Sequence, residues 1–161
     1  MSAKRAFVVI GPESSGTRLM TRLFVAAGAH GDYEHRQRLD AALSNGQDIE
    51  ADVVVVRRSY PYAKEWPNLG KLKGRLEAAG YEVHVVVVVR SLQYTAMSSC
   101  RQAHTRNMEH GMRRSTEAFM HIGTALAATE LPFVWVTYES LARRPREELT
   151  WLFDWAGLPA P

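Results

Sequence analysis

Cysteine is nearly absent: Cys100 is the only one in the chain. It has no partner for an intrachain disulfide, so packing and hydrogen bonds must hold the fold, and nothing in the thiol content points to an oxidising compartment. Apolar stretches are short as well. The run nearest the amino terminus, residues 6–10, breaks at a turn after five residues, too few for a signal-peptide core or a membrane span. A cytoplasmic protein that does not engage a membrane is expected. Neither sign of charge dominates: 20 Lys and Arg against 17 Asp and Glu leave a net charge of +3, with an isoelectric point near 9.2. That excess suits a small anionic ligand and falls short of a nucleic-acid-binding coat. Internal repeats, low-complexity tracts and linkers are also missing.

At 161 residues and 46% hydrophobic content, the chain is sized for one domain, 1–161, with one buried core. Four short runs rich in β-branched residues read as buried strands: AFVVI (6–10), DVVVV (52–56), HVVVVV (84–89) and PFVWVT (132–137). None alternates polar with apolar, so each is expected to be covered on both faces. Helical patterns separate them at residues 17–27, 34–43, 69–79, 92 to about 104, and 111–129. A last helix, at about 146–156, follows Pro145 and stops at GLPAP. Within it Trp151, Leu152, Trp155 and Leu158 form an apolar stripe expected to pack on the sheet. Strands alternating with helices predict an α/β fold: a parallel sheet with helices on both faces in a three-layer α/β/α arrangement.

Ligands of such sheets bind outside the carboxyl ends of the strands. After the first strand, Gly11 and Gly16 stand five apart ahead of a helix, a spacing at which backbone N–H groups can wrap an anion, and Ser14, Ser15 and Thr17 add hydroxyls. A tight turn with a serine-rich helix cap is the plainer reading of the same residues. A nucleotide hydrolase or kinase would normally place Lys and then Ser or Thr directly after the second glycine; here Thr17 and Arg18 stand there. The Asp that usually ends a strand to position magnesium is missing too, since the two Val-rich strands end in Arg57 and Arg90. Glu139, after the fourth strand, keeps a metal site open.

With these motifs in view, the chain resembles the sulfotransferases that use 3′-phosphoadenosine 5′-phosphosulfate (PAPS). GPESSGTRLMTRLF (11–24) looks like their 5′-phosphosulfate loop, and its GTR is most similar to the heparan sulfate 3-O-sulfotransferase branch. RSLQYTAMS (90–98) supplies the second signature, an Arg at a strand end followed eight residues later by a Ser. RRSYP (57–61) and VTYESLARRPREELTWLFDWAGLP (136–159) match further segments. The resemblance implies a P-loop NTPase-like fold with a parallel sheet of four to five strands. It implies that Ser14, Ser15, Gly16, Thr17 and Arg18 hold the 5′-phosphosulfate, that Arg90 and Ser98 hold the 3′-phosphate, and that Arg57 and Arg18 act on the transferring group. The implied reaction moves a sulfuryl group to an acceptor hydroxyl, less readily an amine, and releases 3′-phosphoadenosine 5′-phosphate (PAP), with no metal. The acceptor would be a small molecule or a carbohydrate, and self-association is left open. The chain also departs from the family. Ser14 stands where a Lys or Arg is usual, Ser59 stands where the cytosolic branch has its catalytic His, and a Gly-rich closing segment is not seen after the last helix.

The acceptor has to lose a proton, and GDYEHRQ (31–37) is the best source of a base. The resembling carbohydrate branch places its glutamate in this segment, so Glu34 is the first candidate and His35 the second; a solvated charged loop is the alternative. Two other functions remain in view: a P-loop kinase using Glu139 and magnesium, and a degenerate nucleotide-binding module without turnover. Cys100, His104 and His110 sketch a metal site with too few ligands for zinc. The YPYAKEWPN segment (60–68) reads as either an acceptor-pocket wall or a rigid turn packed on the core, and KLKGR (71–75) as a solvated helix face or an attractor for an anionic acceptor.

Overall fold

Five parallel strands lie in the order β2-β3-β1-β4-β5 in the computed structural model, which describes residues 3–31, 39, 42, 49–61 and 65–161. The strands are β1 (Lys4–Pro12), β2 (His30–Gly31), β3 (Val53–Tyr60), β4 (Tyr81–Val89) and β5 (Phe133–Thr137). The helices are α1 (Thr17–Ala26), α2 (Leu69–Ala78), α3 (Leu92–Arg101), α4 (Met108–Thr129), α5 (Tyr138–Arg143) and α6 (Pro145–Ala156). Helices flank the sheet, giving the expected α/β architecture.

Alternation along the strands divides the core in two. Ala6, Val8 and Ile10 of β1 join Val83, Val85 and Val87 of β4 against Leu72 and Leu76 of α2 and Ile122 and Leu126 of α4. Phe7 and Val9 join Val86 and Val88 on the opposite face, against Met20 and Phe24 of α1 and Leu152 and Phe153 of α6. A strand whose successive side chains enter different cores must be apolar at every position, which explains the unbroken valine runs. Each fully buried Val contributes about 1.5–3 kcal/mol. Arg5 ties the two ends of the chain: its guanidinium donates to the carbonyls of Ala156 and Gly157, at the negative end of α6.

Several boundaries differ from the sequence reading. β3 runs four residues beyond 56, because β1 continues to Pro12 and pairs alongside it, with Gly11 opposite Ser59 and Pro12 opposite Tyr60. Arg57 and Ser59 are therefore strand residues rather than loop residues. β2 is two residues long and leaves no apolar run to detect. α3 stops at Arg101, short of residue 104. α4 starts at Met108, where the Asn107 side chain accepts the His110 N–H and caps the helix ahead of residue 111. Of the helix expected at 34–43, Leu39 and Ala42 are helical and the rest lies outside the described residues.

The expectation that every strand is covered on both faces fails at β5. Phe133 and Trp135 are 44% and 47% exposed, and their rings meet edge to face at 6.0 Å. β5 is an edge strand with β4 as its neighbour. Trp151 departs from the stripe expected on α6 in the same way: it is half exposed, while the adjacent Leu152 is fully buried.

Two measurements check this packing. Leu152→Ala should lower the unfolding free energy in urea by about 2–5 kcal/mol, whereas Trp151→Ala, one residue earlier on the exposed side, should change it by less than about 1 kcal/mol. The second concerns Tyr60, whose hydroxyl donates to the Pro67 carbonyl at 3.2 Å. Burial pushes its phenol from 10.0 up to about 12, against an opposing pull from Arg58. The raised folded value means that its stabilisation is complete below pH 10 and is lost as the pH rises toward about 12. Tyr60→Phe should therefore flatten the decline of stability across that alkaline window.

Candidate functional site

The carboxyl ends of β1, β3 and β4 open onto a cavity of about 380 Å³, within the roughly 300–1,000 Å³ typical of small-molecule sites. Ser14 and Gly16 line it from the loop after β1, Thr17 and Arg18 from the start of α1, Arg57 and Ser59 from β3, Arg90 from the turn after β4, and Ser98 from α3. Sequence elements 80 residues apart are thus brought to one place by strand order alone.

The loop is shaped for close approach. Gly16 caps α1 with φ 107°, and a Cβ there would stand 2.7 Å from Cδ2 of Tyr138. A Cβ on Gly11 would meet the Val88 carbonyl at 2.5 Å and the Ser15 hydroxyl at 2.6 Å. Both glycines are therefore required by space, and Gly16 by conformation also. Ser14 is itself left-handed, with φ 68°. The hydroxyls of Ser14 and Ser15 are buried without a hydrogen-bond partner among the described residues. Unpaired buried hydroxyls are costly, and a ligand oxygen would satisfy them. Ser15 is fully buried behind the loop rather than in the cavity wall. The first turn of α1 carries no acidic residue to offset the positive end of the helix.

Cations from the sheet surround this loop. Arg57 is 9% exposed and Arg18 is on the surface of α1. Thr17 and Ser59 share a hydroxyl hydrogen bond of 3.2 Å that joins α1 to β3. Arg90 donates from Nη1 to the Ser14 carbonyl at 3.3 Å and lies over the Tyr138 ring, 4.5 Å from its centroid. Its Nε is buried without a hydrogen-bond partner among the described residues. Tyr138 thus touches both the glycine of the loop and the arginine of the neighbouring strand end. Among the described residues the one carboxylate in the lining, Glu13, pairs with Arg114 of α4 at 3.6 Å, which offsets its repulsion of an anion.

Every cofactor residue expected from the sequence lies in or directly behind this cavity, as do Arg18 and Arg57. Glu34 and His35 lie outside the described residues, and so do Tyr62, Ala63 and Lys64 of the YPYAKEWPN segment. The rest of that segment divides: Tyr60 is core, Pro61 lines the cavity, and Trp66 stacks on His121 of α4 at 4.0 Å. In KLKGR, Lys73 binds the Thr129 carbonyl at 3.1 Å and ties α2 to α4. Glu139, the residue that kept a metal site open, has a backbone partner. Its carboxylate accepts the Ser91 N–H at 2.9 Å and caps α3. The metal sketch at Cys100 and His104 dissolves, since Cys100 contacts the Thr105 hydroxyl at 3.3 Å while His104 turns to Gln102 at 3.1 Å. No group of three or more metal-ligating side chains occurs among the described residues, and no helix among them is long and apolar enough to cross a membrane.

Glu13 and Tyr138 fall in segments that directly follow strands β1 and β5, where a ligand is expected. Sequence reasoning did not place Gln102 and His104 in the wall, because their positions depend on how α3 ends.

No protein-family model and no curated protein matches the chain. Among solved structures it is similar to the sulfotransferase domain from the Synechococcus PCC 7002 olefin synthase, with a TM-score of 0.57 at 16% identity, over 100% of this chain and 76% of that one. The chain shares its α/β fold with that domain.

The loop geometry is testable. Gly16→Ala adds strain at a left-handed position and a clash with Tyr138, so it should cost about 1–3 kcal/mol of stability. Gly16→Ala combined with Tyr138→Ala should recover part of that loss, read as a non-additive double-mutant cycle in urea denaturation.

Proposed function

We propose that this chain is a sulfotransferase that takes PAPS as donor and releases PAP. One observation carries the reading: Arg90 and Ser98 share a cavity with a glycine-bounded loop whose buried serine hydroxyls have no hydrogen-bond partner among the described residues. A loop rich in anion donors and an Arg–Ser pair in the lining of the same cavity suit a nucleotide with phosphate at both its 5′ and 3′ positions. The residues present fit such a ligand, because the loop offers N–H and hydroxyl donors and three arginines supply charge.

When bound, PAPS supplies the sulfuryl group, and the chain's own residues do the rest. The loop amides, the serine hydroxyls and the amino end of α1 hold the 5′ end and stabilise the negative charge that grows on the departing phosphate oxygen. Arg57, buried in β3, and Arg18 replace the cation that the loop lacks at Ser14. A buried guanidinium in a water-poor wall is a strong substitute, since local screening is weak there. Arg90, held against Tyr138, and Ser98, about two turns into α3, bind the 3′-phosphate. Glu34 is the proposed base that takes the acceptor proton, with His35 as the alternative, and the acceptor is a hydroxyl on a small molecule or carbohydrate.

The test is a thermal-shift comparison of PAP, adenosine 5′-phosphate, ADP and magnesium ATP, on the wild type and on Arg90→Ala. PAP should raise the melting temperature by several degrees, adenosine 5′-phosphate should do so much less, and the arginine variant should lose the difference. Stabilisation by magnesium ATP with no preference for PAP would turn the assignment to a kinase. Silence from all four would turn it to a module without a nucleotide.

A further inference from the structure

We infer that Gln102 and His104 are positioning residues that orient the Ser98 hydroxyl and so set the preference for a 3′-phosphorylated nucleotide. The inference deepens the sulfotransferase reading and rests on it. Three side chains on the cavity wall form a chain of hydrogen bonds: Gln102 Nε2 donates to Ser98 Oγ at 3.2 Å, and Gln102 Oε1 faces His104 Nε2 at 3.1 Å. Ser98 and Gln102 are one helical turn apart and share a face of α3.

His104 reaches that face through a local reversal. α3 ends with Gln102 as its carboxyl cap, and Ala103 then adopts a left-handed φ of 56°. The chain folds back, so that the His104 N–H donates to the Ser99 carbonyl at 2.9 Å. An alanine in this region is uncommon and carries a strain cost. What the strain places is an imidazole beside the Gln102 amide.

The direction of each bond follows from the inventory of donors. Phosphate oxygens in contact with Ser98 accept, so the single hydroxyl proton must go to them. Ser98 then has to accept from its protein neighbour, which the Gln102 amide nitrogen allows. With its nitrogen used in this way, Gln102 presents its carbonyl oxygen to His104, and His104 must carry a proton on Nε2. Reversing the amide would draw the Ser98 proton toward Gln102 and leave oxygen lone pairs facing the phosphate. His104 therefore selects the amide orientation, and the amide selects the direction of the Ser98 proton. A nucleotide without the 3′-phosphate gains nothing from this arrangement, so its effect is on discrimination rather than on general affinity.

The experiment is calorimetric titration of PAP and of adenosine 5′-phosphate against the wild type, Ser98→Ala, Gln102→Met, His104→Ala, His104→Gln and the Ser98→Ala/Gln102→Met pair. Gln102→Met should weaken PAP about fivefold and leave adenosine 5′-phosphate within about twofold. The same change made on Ser98→Ala should have no further effect, because the relay acts through that hydroxyl. His104→Ala should follow Gln102→Met, whereas His104→Gln, which retains an N–H for the Gln102 carbonyl, should keep most of the wild-type preference. Equal loss of both nucleotides, or the same loss with Ser98 already removed, overturns the relay. A wild-type preference for PAP that Ser98→Ala abolishes and Gln102→Met leaves intact overturns the relay alone. A wild type that binds both nucleotides equally overturns the nucleotide reading, and the relay with it.

Discussion

The pairing of β1 between β3 and β4 is the constraint on which the site depends. A central strand buried on both faces carries its following loop to the middle of the sheet edge, where the strand ends on either side must border it. From β3 come Arg57 and Ser59; directly after β4 comes Arg90. Had β1 been an edge strand, one of these flanks would be missing. The close contact of Gly11 with the Val88 carbonyl shows how tightly that neighbour is drawn in. Valine packing on both faces thus fixes the spacing of the cations, although no valine touches the cavity.

That arrangement also explains how the loop can do without lysine. A P-loop lysine delivers a single flexible charge from the loop itself. Here the charge comes from arginines rooted in the sheet and the adjoining helix. Arg90 is braced by the Tyr138 ring and the Ser14 carbonyl. Rooted guanidinium groups lose less freedom on binding and keep a fixed geometry toward phosphate oxygens. Glu13 would oppose them, yet its pairing with Arg114 anchors the loop to α4 and softens the opposition.

Much of this was legible in the sequence, for physical reasons that differ by element. The strands buried on both faces announced themselves as runs of valine, and Gly11, Gly16 and Arg90 could be expected at one edge of the sheet because each stands at a strand end or just after it. The misses share the opposite property. PFVWVT has the composition of a buried strand, but apolar content cannot say whether a helix lies over it, and Phe133 and Trp135 are exposed. The partner of Glu139, the Ser91 N–H, comes from a segment 48 residues away, so no local pattern announces the contact. Gln102 and His104 become neighbours through one left-handed alanine, a conformation that no residue preference foretells.

Tyr138 has a consequence that reaches beyond the cavity. It is the first residue of α5, immediately after β5, and so the ring that contacts Gly16 and Arg90 is carried by the edge strand. Edge elements with few partners open at lower free energy than the interior of a sheet, without the rest of the protein unfolding. Opening of β5 would take with it the loop's wall and the arginine's brace, so amide exchange along these five residues would read the assembly of the site apart from global unfolding.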